Sequence, residues 1–139
     1  MSGLAASVIV MSQTESVTIA SIDTGRFFAE YAQALLDRDE HAVAELYAVP
    51  ALILFPGNVI PVSDASQTAE FFASSWSQYE GVREARPSIT VMGSAPGTVW
   101  ADVTWSYDGQ PRERFCYQLV DGGHGPQIAV LTPMDLTAE

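Results

Sequence analysis

The most constraining feature of the chain is the dipeptide Asp108-Gly109. It is set between two runs dense in β-branched and aromatic residues, TVWADVTWSY (98–107) and QPRERFCYQLV (110–120). Asp-Gly between such runs is the strong signal for a two-residue hairpin of type I′, whose central residues both take positive φ. A two-residue turn also sets the register, because side chains on a strand alternate with period two. In that register Trp105 faces Arg112, Val103 faces Arg114, Ala101 faces Cys116 and Val99 faces Gln118 on one side of the pair. Thr104 with Glu113, Asp102 with Phe115, and Trp100 with Tyr117 take the other side. Each face then carries large apolar groups, so the hairpin is expected at the centre of a sheet covered on both sides.

One domain of 139 residues surrounds this hairpin, and its 47 % hydrophobic content is that of a globular chain with a real core. The formal net charge is −11 and every basic residue is an arginine. That balance argues against nucleic acid and against anionic membrane surfaces, both of which draw on clustered Lys/Arg. Cys116 is the single cysteine, so no internal disulfide is possible, and a reducing cytoplasm fits best. It reads as a small buried hydrophobe, since a nucleophile needs a nearby base. His41, beside Asp39 and Glu40, reads as a solvated helix residue and His124 as a loop residue. Neither has a His or Cys at ligand spacing, so no metal site and no cofactor is expected. Residues 1–22 read as an N-terminal arm ahead of a domain spanning 23–139. The apolar run Leu4–Met11 has no basic flank and no cleavage site, so it is not read as a secretory signal, and it is too short to span a bilayer.

Along the chain, Asp23 caps a helix TGRFFAEYAQALLDR with Phe27, Phe28, Tyr31, Ala32, Leu35 and Leu36 at helical spacing. Asp39 caps a second helix, EHAVAELYAV, that Pro50 ends. A buried strand ALILF (51–55) is closed by Pro56-Gly57, and Asn58–Val62 returns beside it. Ser63 or Asp64 then caps a third helix, ASQTAEFFASSWSQYEG, stopped by Gly81. A strand over 88–95, the hairpin, and a last strand QIAVLTPMD after the Gly-rich loop DGGHGP complete the order.

That order, with AQALLDRDEHAVAELYA leading into a strand and then FPG, resembles the NTF2-like superfamily, which includes ketosteroid isomerase and the SnoaL-type polyketide cyclases. The resemblance implies an α+β, cystatin-like cone. Three helices pack in a strongly curved, mixed and mainly antiparallel sheet, with a pocket at the wide end. In that superfamily the outer sheet face commonly pairs in a homodimer. A gap-free match to ketosteroid isomerase puts its helix tyrosine on Tyr31, a second tyrosine on Tyr47, its base on Phe55 and its second acid on Gln118. Phenylalanine accepts no proton, so the resemblance does not extend to that isomerisation.

With the hairpin register above, the cone wall is expected to carry Trp105, Tyr107, Arg114 and Gln118, joined by Tyr31, Tyr47, Phe55, Trp76, Leu131 and Asp135. A mid-strand Arg114 needs an anion, either a ligand oxyanion or a structural partner such as Asp135, Glu113 or Glu45. Trp100, Phe115, Tyr117 and Leu119 are expected on the outer face as a homodimer seam. Two functions stay open. One is a hollow pocket for a small, largely apolar molecule, with or without SnoaL-like cyclase, isomerase or hydrolase chemistry. The other is a filled cone acting as a dimeric accessory module.

Overall fold

A computed structural model describes residues 21–136; the arm over 1–20, including Leu4–Met11, lies outside the described residues. Helix α1 (Thr24–Leu36) begins where the Asp23 carboxylate accepts from the Arg26 backbone N–H at 3.0 Å. Its Phe27, Phe28, Tyr31, Ala32 and Leu35 form the buried stripe that period 3.6 dictates. Helix α2 (Glu40–Glu45) is capped by Asp39 in the same way. It stops four residues short of the expected end, because Tyr47 already belongs to strand β1 (Tyr47–Phe55). There Tyr47 pairs in parallel with Ile128, and the Ile128 N–H bonds to the carbonyl of Leu46 at 2.8 Å. Strand β2 (Asn58–Val62) returns antiparallel to β1.

Helix α3 (Ala65–Ala73) opens with a capping box between Asp64 and Gln67. Its expected single run to Gly81 is broken at Ser74-Ser75, whose hydroxyls donate to the carbonyl of Phe71 at 2.8 and 2.9 Å. Serine hydroxyls that bond back to the preceding turn compete with helix continuation. The chain passes instead into one 3-10 turn, Trp76–Tyr79.

Strands β3 (Ala85–Ala95), β4 (Thr98–Tyr107), β5 (Gln110–Asp121) and β6 (Pro126–Pro133) complete a single sheet in the order β2-β1-β6-β5-β4-β3. Among the described residues only β1 and β6 run parallel. The architecture is the α+β one expected. No helix among the described residues is long and apolar enough to cross a membrane.

The β4–β5 hairpin turns as expected, with φ of 53° at Asp108 and 85° at Gly109. Its register does not hold. Tyr107 pairs with Gln110 and Ser106 with Pro111, but Trp105 then pairs with Glu113, so that Arg112 is an extra residue on β5. This bulge slides every later pair by one: Val103 faces Phe115, Ala101 faces Tyr117 and Val99 faces Leu119. A slip of one residue turns a strand over. The interior therefore receives Glu113, Phe115, Tyr117 and Leu119, while Arg114, Cys116 and Gln118 go to the outer face. The expected outer seam is corrected accordingly: Tyr117 and Leu119 are wholly buried, and only Trp100 remains outside, 39 % exposed. The physical reason is the core itself, because only the bulged register puts the apolar sets of both strands on one side.

Candidate functional site

Three pieces of chain bring side chains to one hollow. Helix α1 supplies Tyr31 and Leu35, the α3–3-10 segment supplies Phe71, Phe72 and Tyr79, and the concave sheet supplies Phe55, Trp105, Tyr107, Glu113, Phe115, Tyr117 and Leu131. They enclose a cavity of about 410 Å³. Its deep wall is formed by Tyr31, Trp105 and Tyr117, all nearly inaccessible. Its rim carries exposed Ser74, Gln78 and Asn58.

The polar groups are few and ordered. Deep in the cone the Tyr31 and Tyr47 hydroxyls bond to each other at 2.8 Å, and the Trp105 Nε1–H donates to the Tyr117 hydroxyl at 2.9 Å. The first pair uses one of its two protons, and Tyr117 acts as acceptor, so hydroxyl protons remain for a further acceptor. Nearer the rim, Glu113 Oε1 accepts from the Tyr107 hydroxyl at 2.7 Å and the Tyr79 hydroxyl at 3.2 Å. Glu113 is the only formally charged side chain on the cavity wall among the described residues. Burial, reinforced by the charge on Glu113, pushes the Tyr79 and Tyr107 hydroxyls far above their ordinary pKa. Burial does the same to Tyr31, Tyr47 and Tyr117. All five are neutral donors at physiological pH.

Arg38 fixes Tyr79 in this arrangement. It sits just past the end of α1 with φ 52°, and its Nη1 donates to the carbonyls of Leu35 and Leu36 at 3.2 and 3.0 Å. Its Nη2 reaches the carbonyl of Tyr79 and, at 3.4 Å, that of Val82. One guanidinium thus satisfies open carbonyls of a helix end and ties the 3-10 turn to it.

Solved structures with the same chain path settle the architecture. A domain of unknown function with a cystatin-like fold from Nostoc punctiforme superposes with a TM-score of 0.62 at 17 % identity, covering 82 % of this chain and 76 % of that one. The fold is the NTF2-like cone. Aln2 from a Streptomyces species shares it with a TM-score of 0.60 at 16 % identity, over 81 % of this chain and 87 % of its own. So does a protein from Xanthomonas campestris described as a calcium/calmodulin-dependent protein kinase II association domain, with a TM-score of 0.62 at 15 % identity, over 94 % and 100 %. No protein-family profile matches the chain, and no curated protein matches it in sequence. At these identities the likeness is one of fold.

Within this cone the expected pocket residues divide. Tyr31, Phe55, Trp105, Tyr107 and Leu131 stand on the cavity wall. Tyr47 lies behind it, bonded to Tyr31 and packed on Phe72, and is the first residue of β1, not the end of a helix. Trp76 packs against Phe72 and Tyr79 and turns its indole N–H away, to Glu40 Oε1 at 3.1 Å. Arg114 and Gln118 are corrected to the outer face by the bulge. There Arg114 forms a two-point pair with Asp102, Nε to Oδ1 at 3.0 Å and Nη2 to Oδ2 at 2.6 Å, and donates to the Asp135 carbonyl at 2.8 Å. Gln118 donates to the Thr98 hydroxyl at 3.2 Å. Asp135 is exposed beside Arg114 and outside the cone. Both histidines are exposed. Glu113, Tyr79, Phe71 and Phe115 were not on the expected wall. The signal that finds the β5 pair is the odd-numbered spacing of the large apolar residues on both hairpin strands.

Proposed function

We propose that this chain is a small-molecule-binding protein of the NTF2-like fold, whose ligand is a largely apolar molecule held in the aromatic cavity. The observation that carries the reading is the cavity of about 410 Å³, whose wall is mostly aromatic, with Glu113 and the tyrosine hydroxyls inside it and Asn58, Ser74 and Gln78 at its rim. Ligand sites of roughly 300–1,000 Å³ have this make-up, apolar walls with a few placed polar groups. A cone filled by its own side chains, as an accessory module requires, would leave no such space. Phe55, which packs on Phe71 and Phe115 with centroids 5.8 and 6.1 Å away, supplies wall and no base, so a proton shuttle through the first strand is not part of the reading. The test is a thermal shift with 2-naphthalenemethanol on the wild type and on Ser74→Trp, which blocks the rim from an exposed position. The wild type should melt higher with the ligand by mass action, and Ser74→Trp, shown folded by its circular dichroism, should lose the shift. An equal shift in both proteins overturns the proposal, and so does the absence of any shift in the wild type with this alcohol and with its ammonium and carboxylate analogues alike.

We further propose a homodimer through the outer sheet face. The cross-strand row Leu52, Val130, Gln118, Trp100 lies on that face, with Val59 on the next row, and Leu52, Val59 and Trp100 are 41 %, 62 % and 39 % exposed. A seam there should bury about 800 Å² per chain. Light scattering should give twice the 15.0 kDa chain mass, falling to one chain mass in Val59→Asp. A monomeric wild type at micromolar concentration contradicts the dimer.

A further inference from the structure

A largely aromatic cavity says little about what its ligand carries; the single formal charge on its wall among the described residues says more. We infer that the ligand of this cavity is an organic cation, an ammonium group on an aromatic or otherwise apolar body, with Glu113 as its counter-ion. The inference rests on the reading of the cavity as a small-molecule site.

Glu113 is presented at the cavity wall by two phenols. The rings of Tyr79 and Tyr107 stand at 80° to each other with centroids 5.5 Å apart, and both hydroxyls grip the same oxygen, Oε1. That leaves Oε2 for a donor from the cavity. Trp105 stacks on Tyr107 at 18° and 6.4 Å, extending the aromatic surface inward. Ring faces are electron-rich and attract cations, most strongly where water is excluded. Tyr107 already attracts one: the Arg112 guanidinium carbon lies 5.9 Å from its ring centroid. Arg112 itself is exposed and absent from the cavity wall, so water screens its repulsion of a bound ammonium.

Competing ligand charges fare worse. A carboxylate or phosphate would meet Glu113, and among the described residues no basic side chain stands on the wall to offset it. Arg114, which would greet an anion, lies on the opposite face and is engaged by Asp102. A neutral molecule fills the rings but leaves a carboxylate oxygen without a charged partner. The formal charge of −11 raises the local concentration of cations around the whole molecule.

Three probes of one shape separate these cases: 2-naphthylmethylammonium, 2-naphthalenemethanol and 2-naphthoate, titrated calorimetrically at neutral pH. The ammonium should bind wild type at least about tenfold tighter than the alcohol, and the naphthoate weakest of all. In Glu113→Gln the gap between ammonium and alcohol should close, with alcohol affinity changed less than about threefold. If the alcohol binds wild type as tightly as the ammonium, or if the gap survives Glu113→Gln, the cation assignment is wrong while the cavity reading stands. If none of the three binds, the cavity reading fails and the assignment with it. Should Glu113→Gln not fold, the wild-type ranking of the three probes decides alone.

Discussion

Glu113 and Arg114 are neighbours in the chain and face opposite sides of the sheet, where each is held by a different kind of partner. Glu113 accepts from two neutral phenols inside the cone, whereas Arg114 meets the full charge of Asp102 outside it. The Asp102–Arg114 pair is bidentate, and its side chains are only 20 % and 17 % exposed, so it is shielded enough to count toward stability. Arg114's hydrogen bonds hold the Asp102 carboxyl below the usual aspartate range. A depressed carboxyl stabilises the fold above its unfolded pKa, about 3.9, and that contribution is lost as pH falls through the lower folded value. Urea unfolding of Asp102→Asn at pH 7 should therefore show a loss of roughly 1–2 kcal/mol. The gap to wild type should shrink below about pH 3.9. A gap that is absent at pH 7, or that persists unchanged in acid, contradicts this account of the pair.

At the scale of elements, much was legible where one local rule acted alone. Asp23, Asp39 and Asp64 cap the three helices they precede, and Asp108-Gly109 makes the turn its type demands. What escaped were places where a second rule overrode the first. The tight turn alone sets odd residues of β4 against even residues of β5. Yet Val99, Ala101, Val103, Trp105 and Tyr107 on one strand and Phe115, Tyr117 and Leu119 on the other are all odd. Burying both sets together requires one extra residue in one strand, and the bulge at Arg112 provides it. The helical pattern through Tyr47 likewise gave way to parallel pairing with β6, and that through Tyr79 to the Ser74-Ser75 hydroxyls. Of the candidate site, Tyr31 and Trp105 on the deep wall were readable from hydrophobic spacing, whereas Tyr117 was expected outside because the unbulged register turns it there. The charged end was not, because Glu113 reaches the cavity only through the bulge.

Taken as a whole, the molecule is a curved sheet closed by helices over an interior in which aromatic rings meet edge to face, from Phe28 on Trp105 at 6.2 Å to Tyr79 on Tyr107 at 5.5 Å. All five tyrosines of the chain belong to this interior. Their folded pKa values are raised, so the stability they carry is complete below the unfolded value of about 10 and is lost as pH rises past it. An alkaline absorbance titration should show no tyrosinate step near pH 10 in the folded protein. All five should instead ionise together with unfolding at higher pH; a partial step near pH 10 would mean that the interior is open to water. The arrangement of this interior depends on which side of β5 faces it, and that is the claim on which the cavity, its carboxylate and the outer ion pair all rest. Cross-strand NOEs in an isotope-edited NOESY spectrum read it directly. The structure requires Asp102 to face Cys116, Thr104 to face Arg114 and Trp105 to face Glu113. NOEs that instead set Ala101 against Cys116, Val103 against Arg114 and Trp105 against Arg112 would place Glu113 outside the cone and contradict the account.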